Sequence, residues 1–209
     1  MRLVPKRDAE VGREATLRHE LVGQWHFAGL KRWALVAMVA GGMCVFGLAF
    51  ILGVVARGIL RGAVEFHVSV GLTLLIFLGI IVATVILHEA VHGLGYLVFG
   101  GKPRFGVKLI GRFFPVVYAS ATGPLIPRNH YLLVGLAPFL VLTPLFLLIG
   151  ILARNDGIAV MALMAMAMNV GGSIGDLMVA RKVRQLGGGT LFEDTADGFN
   201  WYRPSRPNL

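Results

Sequence analysis

Long apolar stretches dominate the chain, and polar residues separate them. Four of these stretches, over 33–56, 68–99, 131–153 and 157–180, are long enough to cross a bilayer. A helix rises 1.5 Å per residue, so about 20 apolar residues span a hydrocarbon core of roughly 30 Å. A spanning helix also satisfies its own backbone hydrogen bonds. The pattern therefore predicts an all-α polytopic membrane protein with about four transmembrane helices.

The segment between the second and third stretches follows a different pattern. Apolar residues alternate with others over 105–109 and again over 114–118. Alternation is typical of a half-buried strand, so a short β-hairpin turning at 110–112 is expected. An irregular amphipathic loop is the alternative.

The polar flanks divide the chain into three parts. We expect a cytoplasmic N-terminal arm at 1–32, a membrane-embedded core at 33–184 and a cytoplasmic tail at 185–209. Within the arm, Asp8 to Phe27 has loose helical spacing, which suits a helix on the membrane surface or a plain cytosolic arm. The tail begins with three glycines at 187–189, a flexible link, and then suggests a small turn-rich cap.

Composition supports a membrane protein and sets its orientation. Hydrophobic residues make up 56% of the chain and charged residues only 15%, with a mean hydropathy of +0.74. Lys and Arg residues are concentrated on one side, with seven before residue 33, five in the 100–130 segment and five from residue 181 onward, against three on the other side. The positive-inside rule places the first side, with both termini, in the cytoplasm. The net charge of +9 thus suits a lipid headgroup surface, and nucleic acid is not expected as a partner.

Two further features of the sequence bear on its surroundings. No short apolar stretch follows the start, so no cleavable signal peptide is expected. The single Cys44 excludes an intrachain disulfide and leaves the redox compartment open.

The second apolar stretch contains the residues that carry chemistry. His88, Glu89 and His92 form an HExxH pattern inside it. Ionisable residues inside a membrane helix are costly and usually functional. Two His residues four apart share a helix face and can hold one Zn²⁺, and Glu89 can act as general base on a zinc-activated water. A helix end with ordinary interfacial histidines is the bland alternative.

A catalytic zinc site usually has three protein ligands. Asp176, in the fourth stretch, is expected at the same membrane depth as the His pair, near the cytoplasmic leaflet. His130 is a weaker alternative. Asn169 lies about two turns before Asp176 and could orient a ligand, hold substrate or an oxyanion, or make a polar contact between helices.

These residues resemble those of the site-2 protease class of intramembrane zinc metalloproteases. The short four-span layout over 68–184 is similar to that of the putative zincin peptidase family. The resemblance implies zinc ligands at His88, His92 and Asp176, one zinc ion per chain, and Glu89 as the base. The chain departs from the class at Asn169-Val170 and Asp176-Leu177, where Asn-Pro and Asp-Gly are usual.

The expected function is zinc-dependent hydrolysis of peptide bonds in or near transmembrane segments of a membrane-protein or peptide substrate. A metal transporter and a catalytically silent zinc-binding scaffold are the alternatives. A transporter needs polar groups across the whole bilayer, and a structural zinc needs no general base. Substrate identity, regulation and oligomeric state are not readable from the sequence.

Overall fold

The computed structural model describes residues 19–30, 32–62, 70–110, 114–195 and 198–205. Five α-helices lie in these ranges: α1 (Arg32–Arg61), α2 (Val70–Val98), α3 (Arg128–Leu152), α4 (Asp156–Gly172) and α5 (Ile174–Arg184). Four helical segments are long and apolar enough to cross a membrane, and the fourth combines α4 and α5. The prediction of four apolar spans is therefore confirmed.

Strands occupy more of the chain than the sequence suggested. They are β1 (His19–His26), β2 (Lys102–Ile110), β3 (Phe114–Thr122), β4 (Ile126–Pro127), β5 (Leu191–Thr195) and β6 (Gly198–Pro204). β2 and β3 pair in antiparallel register, as the alternating pattern predicted, although residues 111–113 at the expected turn lie outside the described ranges. The other four strands form one sheet in the order β1-β6-β5-β4. The description of the fold as all-α is therefore only partly right.

The N-terminal arm corrects a second expectation. Residues 19–26, where a surface helix or a plain arm was expected, form β1, which pairs with β6. Because β6 comes from the tail, the partner of β1 is almost the whole chain away in sequence. The rest of the expected helix, before His19, lies outside the described residues.

The chain divides into two compact units, and the boundaries between them fall before α1 and within α2, α3 and α5. The first unit contains the described residues up to Leu30, Glu89–Gly135 and those from Met178 onward. Its core joins aromatic residues of the sheet to the helices that enter it, and the fully buried members include Phe192 and Phe199. The ring of Tyr131 stacks on Phe192 with centroids 5.0 Å apart.

The second unit contains the described residues of 31–88 and Leu136–Leu177. Here α1 packs on α4 through small residues: a Cβ on Gly42 would lie 3.0 Å from the carbonyl oxygen of Gly171. Glycine at both positions lets the two backbones approach, as in many membrane helix pairs. The buried Arg57 links α1 to the end of α3 and the start of α4. It donates to the backbone oxygens of Gly150, Ile151 and Ala153 and to Asp156 Oδ1.

A short break separates α4 from α5. Ser173 follows the last residue of α4, and its Oγ donates to the backbone oxygen of Asn169 at 2.8 Å. Asp176 then falls in the first turn of α5. A carboxylate is favoured in a first helical turn because the backbone N–H groups there are unpaired and carry partial positive charge. The break therefore gives Asp176 a position where its charge is stabilised.

Candidate metal centre

His88 lies on α2 and is held by two polar side chains of the same unit. Its Nδ1 lies 2.9 Å from Asn169 Oδ1, and its Nε2 lies 3.0 Å from Asp176 Oδ2. The imidazole is mostly buried, with 12% of the side chain exposed, so these two contacts account for both ring nitrogens. A buried ring held at both nitrogens has a defined orientation.

The amide of Asn169 determines which nitrogen of His88 carries the proton. Asn169 Nδ2 donates to the Pro138 backbone oxygen and to Thr143 Oγ1, both at 3.0 Å. Both amide protons are thus used, and Oδ1 is left as an acceptor facing His88. His88 Nδ1 must therefore be the donor. His88 Nε2 therefore carries no proton, and its lone pair faces Asp176. There it is available to bind a metal.

His92 is fixed in the same tautomer by a hydrogen bond to the backbone. Its Nδ1 donates to the Val134 backbone oxygen of α3 at 2.9 Å, and its side chain is buried. That carbonyl lacks its usual helical donor because Pro138, four residues later, has no N–H. A His that donates one N–H to a carbonyl presents its other nitrogen as a metal ligand. His92 Nε2 is therefore the ligand atom.

These side chains come together at one point. His92 lies one turn after His88 in the same unbroken helix, and one ligand atom from each of His88, His92 and Asp176 lies within 4.8 Å of the others. Tetrahedral zinc with bonds of about 2.0–2.1 Å needs about 3.4 Å between ligand atoms, so shifts of about 1 Å would fit one ion. Two neutral imidazoles and a carboxylate are a donor set that zinc accepts. The residues present thus fit the metal.

The comparisons with known proteins agree with this geometry. Residues 81–190 match the profile of a family described as putative zincin peptidase. The chain belongs to that family. Comparison with curated proteins and with solved structures returned no match. The matched region of this zincin-family chain begins before His88 and ends after Asp176, so it includes every predicted site residue.

Two other residues were predicted for the site of this zincin-family chain. Glu89 lies next to one of the three candidate ligands, and His130 is not one of them. Glu89 follows His88 directly and is partly buried. His130, the weaker alternative for the third ligand, is exposed, and its ring stacks on Phe99 with centroids 4.2 Å apart. The stacking on Phe99 accounts for the position of this exposed imidazole without a metal. The geometry brings Asp176, and not His130, to the His pair.

Sequence reasoning missed one acidic residue of this zincin-family chain. Asp194 lies on β5, where its Oδ1 accepts from Tyr131 Oη at 2.6 Å. The Tyr96 hydroxyl and the Ala121 N–H also donate to it, and it lies within electrostatic range of His92. Burial raises the pKa of Asp194 from 3.8 to about 7, against these favourable contacts. No local pattern marks it, because its partners lie on α2, β3 and α3.

Proposed function

We propose that the chain is an intramembrane zinc-dependent endopeptidase that hydrolyses peptide bonds in or near transmembrane segments. One observation supports this most directly. On a helix apolar enough to span a membrane, the Nε2 atoms of His88 and His92 are oriented as ligands beside a carboxylate, and Glu89 lies next to the first of them. Membership of the zincin family supports the same chemistry.

His88, His92 and Asp176 would hold the zinc. When bound, zinc acts as a Lewis acid that polarises a substrate carbonyl and makes water more acidic. Glu89 takes a proton from the attacking water and then gives it to the leaving amine. Breaking the peptide bond thus consumes one water and leaves a carboxylate and an amine.

Asn169 acts in this proposal by orienting His88. The sequence left open a role in holding substrate or an oxyanion. Both amide protons of Asn169 are already donated within the protein, and its side chain is 1% exposed. An oxyanion needs a donor aimed at open space. The observed contacts therefore favour the orienting role.

The β2–β3 pair offers a place for the substrate. A transmembrane helix must unwind before hydrolysis, because its peptide groups are hydrogen-bonded within the helix. In the described part of the chain, β2 pairs with β3 alone, so its other edge has no partner strand. We propose that an unwound substrate adds to this edge as an extended strand.

The proposed orientation places both termini and the metal centre on the cytoplasmic side. The distribution of Lys and Arg along the sequence supports it. A reporter that works only in the cytoplasm should be active when it is fused after Leu209, and a reporter that works only outside the cytoplasm should be inactive there. Activity of the second kind of reporter at that position would show that the proposed orientation is wrong.

A cleavage assay with the purified full-length chain tests the proposal. The probe is a panel of transmembrane peptides in proteoliposomes, assayed with zinc and with a chelator. We expect cleavage that the chelator abolishes and zinc restores. Glu89→Gln should keep its zinc and lose at least about 100-fold in rate, because general base catalysis contributes 10²–10⁴-fold. A Gln variant that cleaves at the parental rate would remove Glu89 from this role.

Metal content separates the enzyme from the other functions. The wild-type chain should bind one zinc, and Asp176→Asn should bind it at least about tenfold more weakly. Unchanged affinity in Asp176→Asn would exclude Asp176 as the third ligand. Zinc uptake into the proteoliposomes without cleavage would favour a transporter, and bound zinc with neither activity would favour a scaffold.

A further inference from the structure

Asp194 joins three separate parts of the first unit through one carboxylate. It accepts hydrogen bonds from Tyr131 on α3, from Tyr96 on α2 and from the Ala121 N–H on β3. Both tyrosine side chains are at least nine-tenths buried. Three donors converging on one carboxylate hold it in place and satisfy most of its acceptor capacity.

One of these contacts reaches the helical turn that carries His92. Tyr96 lies four residues after His92 on α2, so the two side chains share a helix face. Gly95, between them, lies against α3, where an added Cβ would be 3.2 Å from Val134 Cγ2. Val134 is also the residue whose carbonyl accepts from His92. Fixing Tyr96 and α3 therefore fixes the ring of His92.

Asp194 also lies within electrostatic range of the His92 imidazole. A cation held by His92 Nε2 would therefore be attracted by the Asp194 carboxylate.

We infer that Asp194 is a positioning residue of the metal centre, acting through Tyr96 and Tyr131 to strengthen zinc binding. This inference rests on the proposed function, since it needs the zinc. Asp194 lies beyond residues 81–190, the part of the chain that matches the family profile. It would therefore be a contribution of the C-terminal sheet to the part of the centre that contains His92.

The test compares zinc affinity among single variants of the full-length chain in detergent. Asp194→Asn should bind zinc at least about tenfold more weakly in a chelator competition, because partners that orient metal ligands contribute 10–100-fold. The matched control is Glu193→Gln, which makes the same charge change on the adjacent residue. Glu193 points to the other face of β5, where it accepts from Tyr202 Oη and Asn200 Nδ2. It should bind zinc as the wild type does.

A second readout separates positioning from general stability. With Co²⁺ in place of zinc, the visible absorption of Asp194→Asn should shift, whatever the change in the unfolding temperature of its metal-free form. A purely structural role would lower the unfolding temperature and leave the spectrum of the folded protein unchanged. That pattern, or a zinc affinity within twofold of the wild type, would overturn the inference.

Two milder variants keep the test valid if Asp194→Asn fails to fold. Tyr131→Phe and Tyr96→Phe each remove one donor, and Tyr131→Phe retains the aromatic ring that stacks on Phe192. Each should weaken zinc binding by at least about threefold, and unchanged affinity in both would overturn the inference. If the wild type binds no zinc, the proposed function fails. If the wild type binds zinc and every variant matches it, only the role of Asp194 fails.

Discussion

At the scale of single residues, Asn169 links the metal centre to the interior of the second unit. Its two amide protons go to Pro138 and Thr143, and its oxygen accepts from His88. An amide with all its groups occupied cannot flip without losing three hydrogen bonds. The proton of His88 is therefore held on Nδ1, and Nε2 stays a ligand.

Asn169→Ala should weaken zinc binding by about 10–100-fold, because His88 would lose the partner that fixes its tautomer and orientation. Chelator competition measures the change. Asn155→Ala is the matched control, since Asn155 caps the other end of α4 by accepting from the Ile158 N–H. It should cost about 1 kcal/mol of stability and leave zinc affinity unchanged. Equal zinc affinities in the two variants would contradict the role assigned to Asn169.

The sequence could predict some of these residues and not others. The spacing of His88 and His92 is a local property of a helix, and the depth of Asp176 follows from its distance to the polar end of its span. The contacts of Asn169 and Asp194 depend on which helices and strands meet. The hydrogen-bond partners described for Asp194 lie at residues 96, 121 and 131, far from it in the sequence, so its position was not predictable.

At the scale of elements, Pro138 removes one backbone hydrogen bond from α3. It leaves the Val134 carbonyl without its helical donor, and His92 takes that place. Pro138→Ala would add an N–H that competes with His92 for this oxygen. We expect zinc affinity to fall severalfold while the stability of the metal-free protein rises or stays constant.

The matched control for this prediction is Pro144→Ala, in the same helix. It restores an N–H four residues after Leu140, whose carbonyl makes none of the contacts described for the metal centre. Zinc titration and thermal unfolding of both variants measure the difference. A loss of zinc affinity that is equal in the two variants would show that helix geometry, and not the Val134 carbonyl, is responsible.

Arg57 stabilises the second unit at the other end of α3. Its side chain is 5% exposed, and Asp156 is 33% exposed. Arg57→Ala should lower the free energy of unfolding by about 3 kcal/mol, because it removes a buried charge pair and the donor for three helix-end carbonyls. Arg61→Ala is the control, since Arg61 donates to the Leu152 oxygen at an exposed site and should cost under about 1 kcal/mol. Denaturation in detergent measures both.

The elements themselves were predictable to different degrees. Runs of about 20 apolar residues have no alternative in a bilayer, so the four spans follow from composition. Residues such as Arg57 extend a helix beyond its apolar part, where composition carries no signal. β1 was missed because a single strand is stable only with its partner, and β6 lies near the other end of the chain.

At the scale of the whole molecule, the first unit depends on contacts between distant parts of the chain. The four-stranded sheet takes β1 from before α1, β4 from the segment before α3, and β5 and β6 from the tail. Asp194 lies within this sheet and contacts both α2 and α3. The stability of the unit should therefore respond to the charge state of this one carboxyl.

The sign of that response follows from the pKa of Asp194, which burial raises to about 7 in the folded chain from the ordinary value of 3.8. The groups that face it are the Tyr131 and Tyr96 hydroxyls and His92. Between about pH 4 and pH 7 the folded state keeps a proton that the unfolded state releases, so the stability contributed by this group falls as pH rises.

The unfolding temperature of the metal-free protein should fall from pH 5 to pH 7.5. Asp194→Asn should flatten this slope, whereas Glu193→Gln should retain it. An equal slope in wild type and Asp194→Asn would show that another group controls the response.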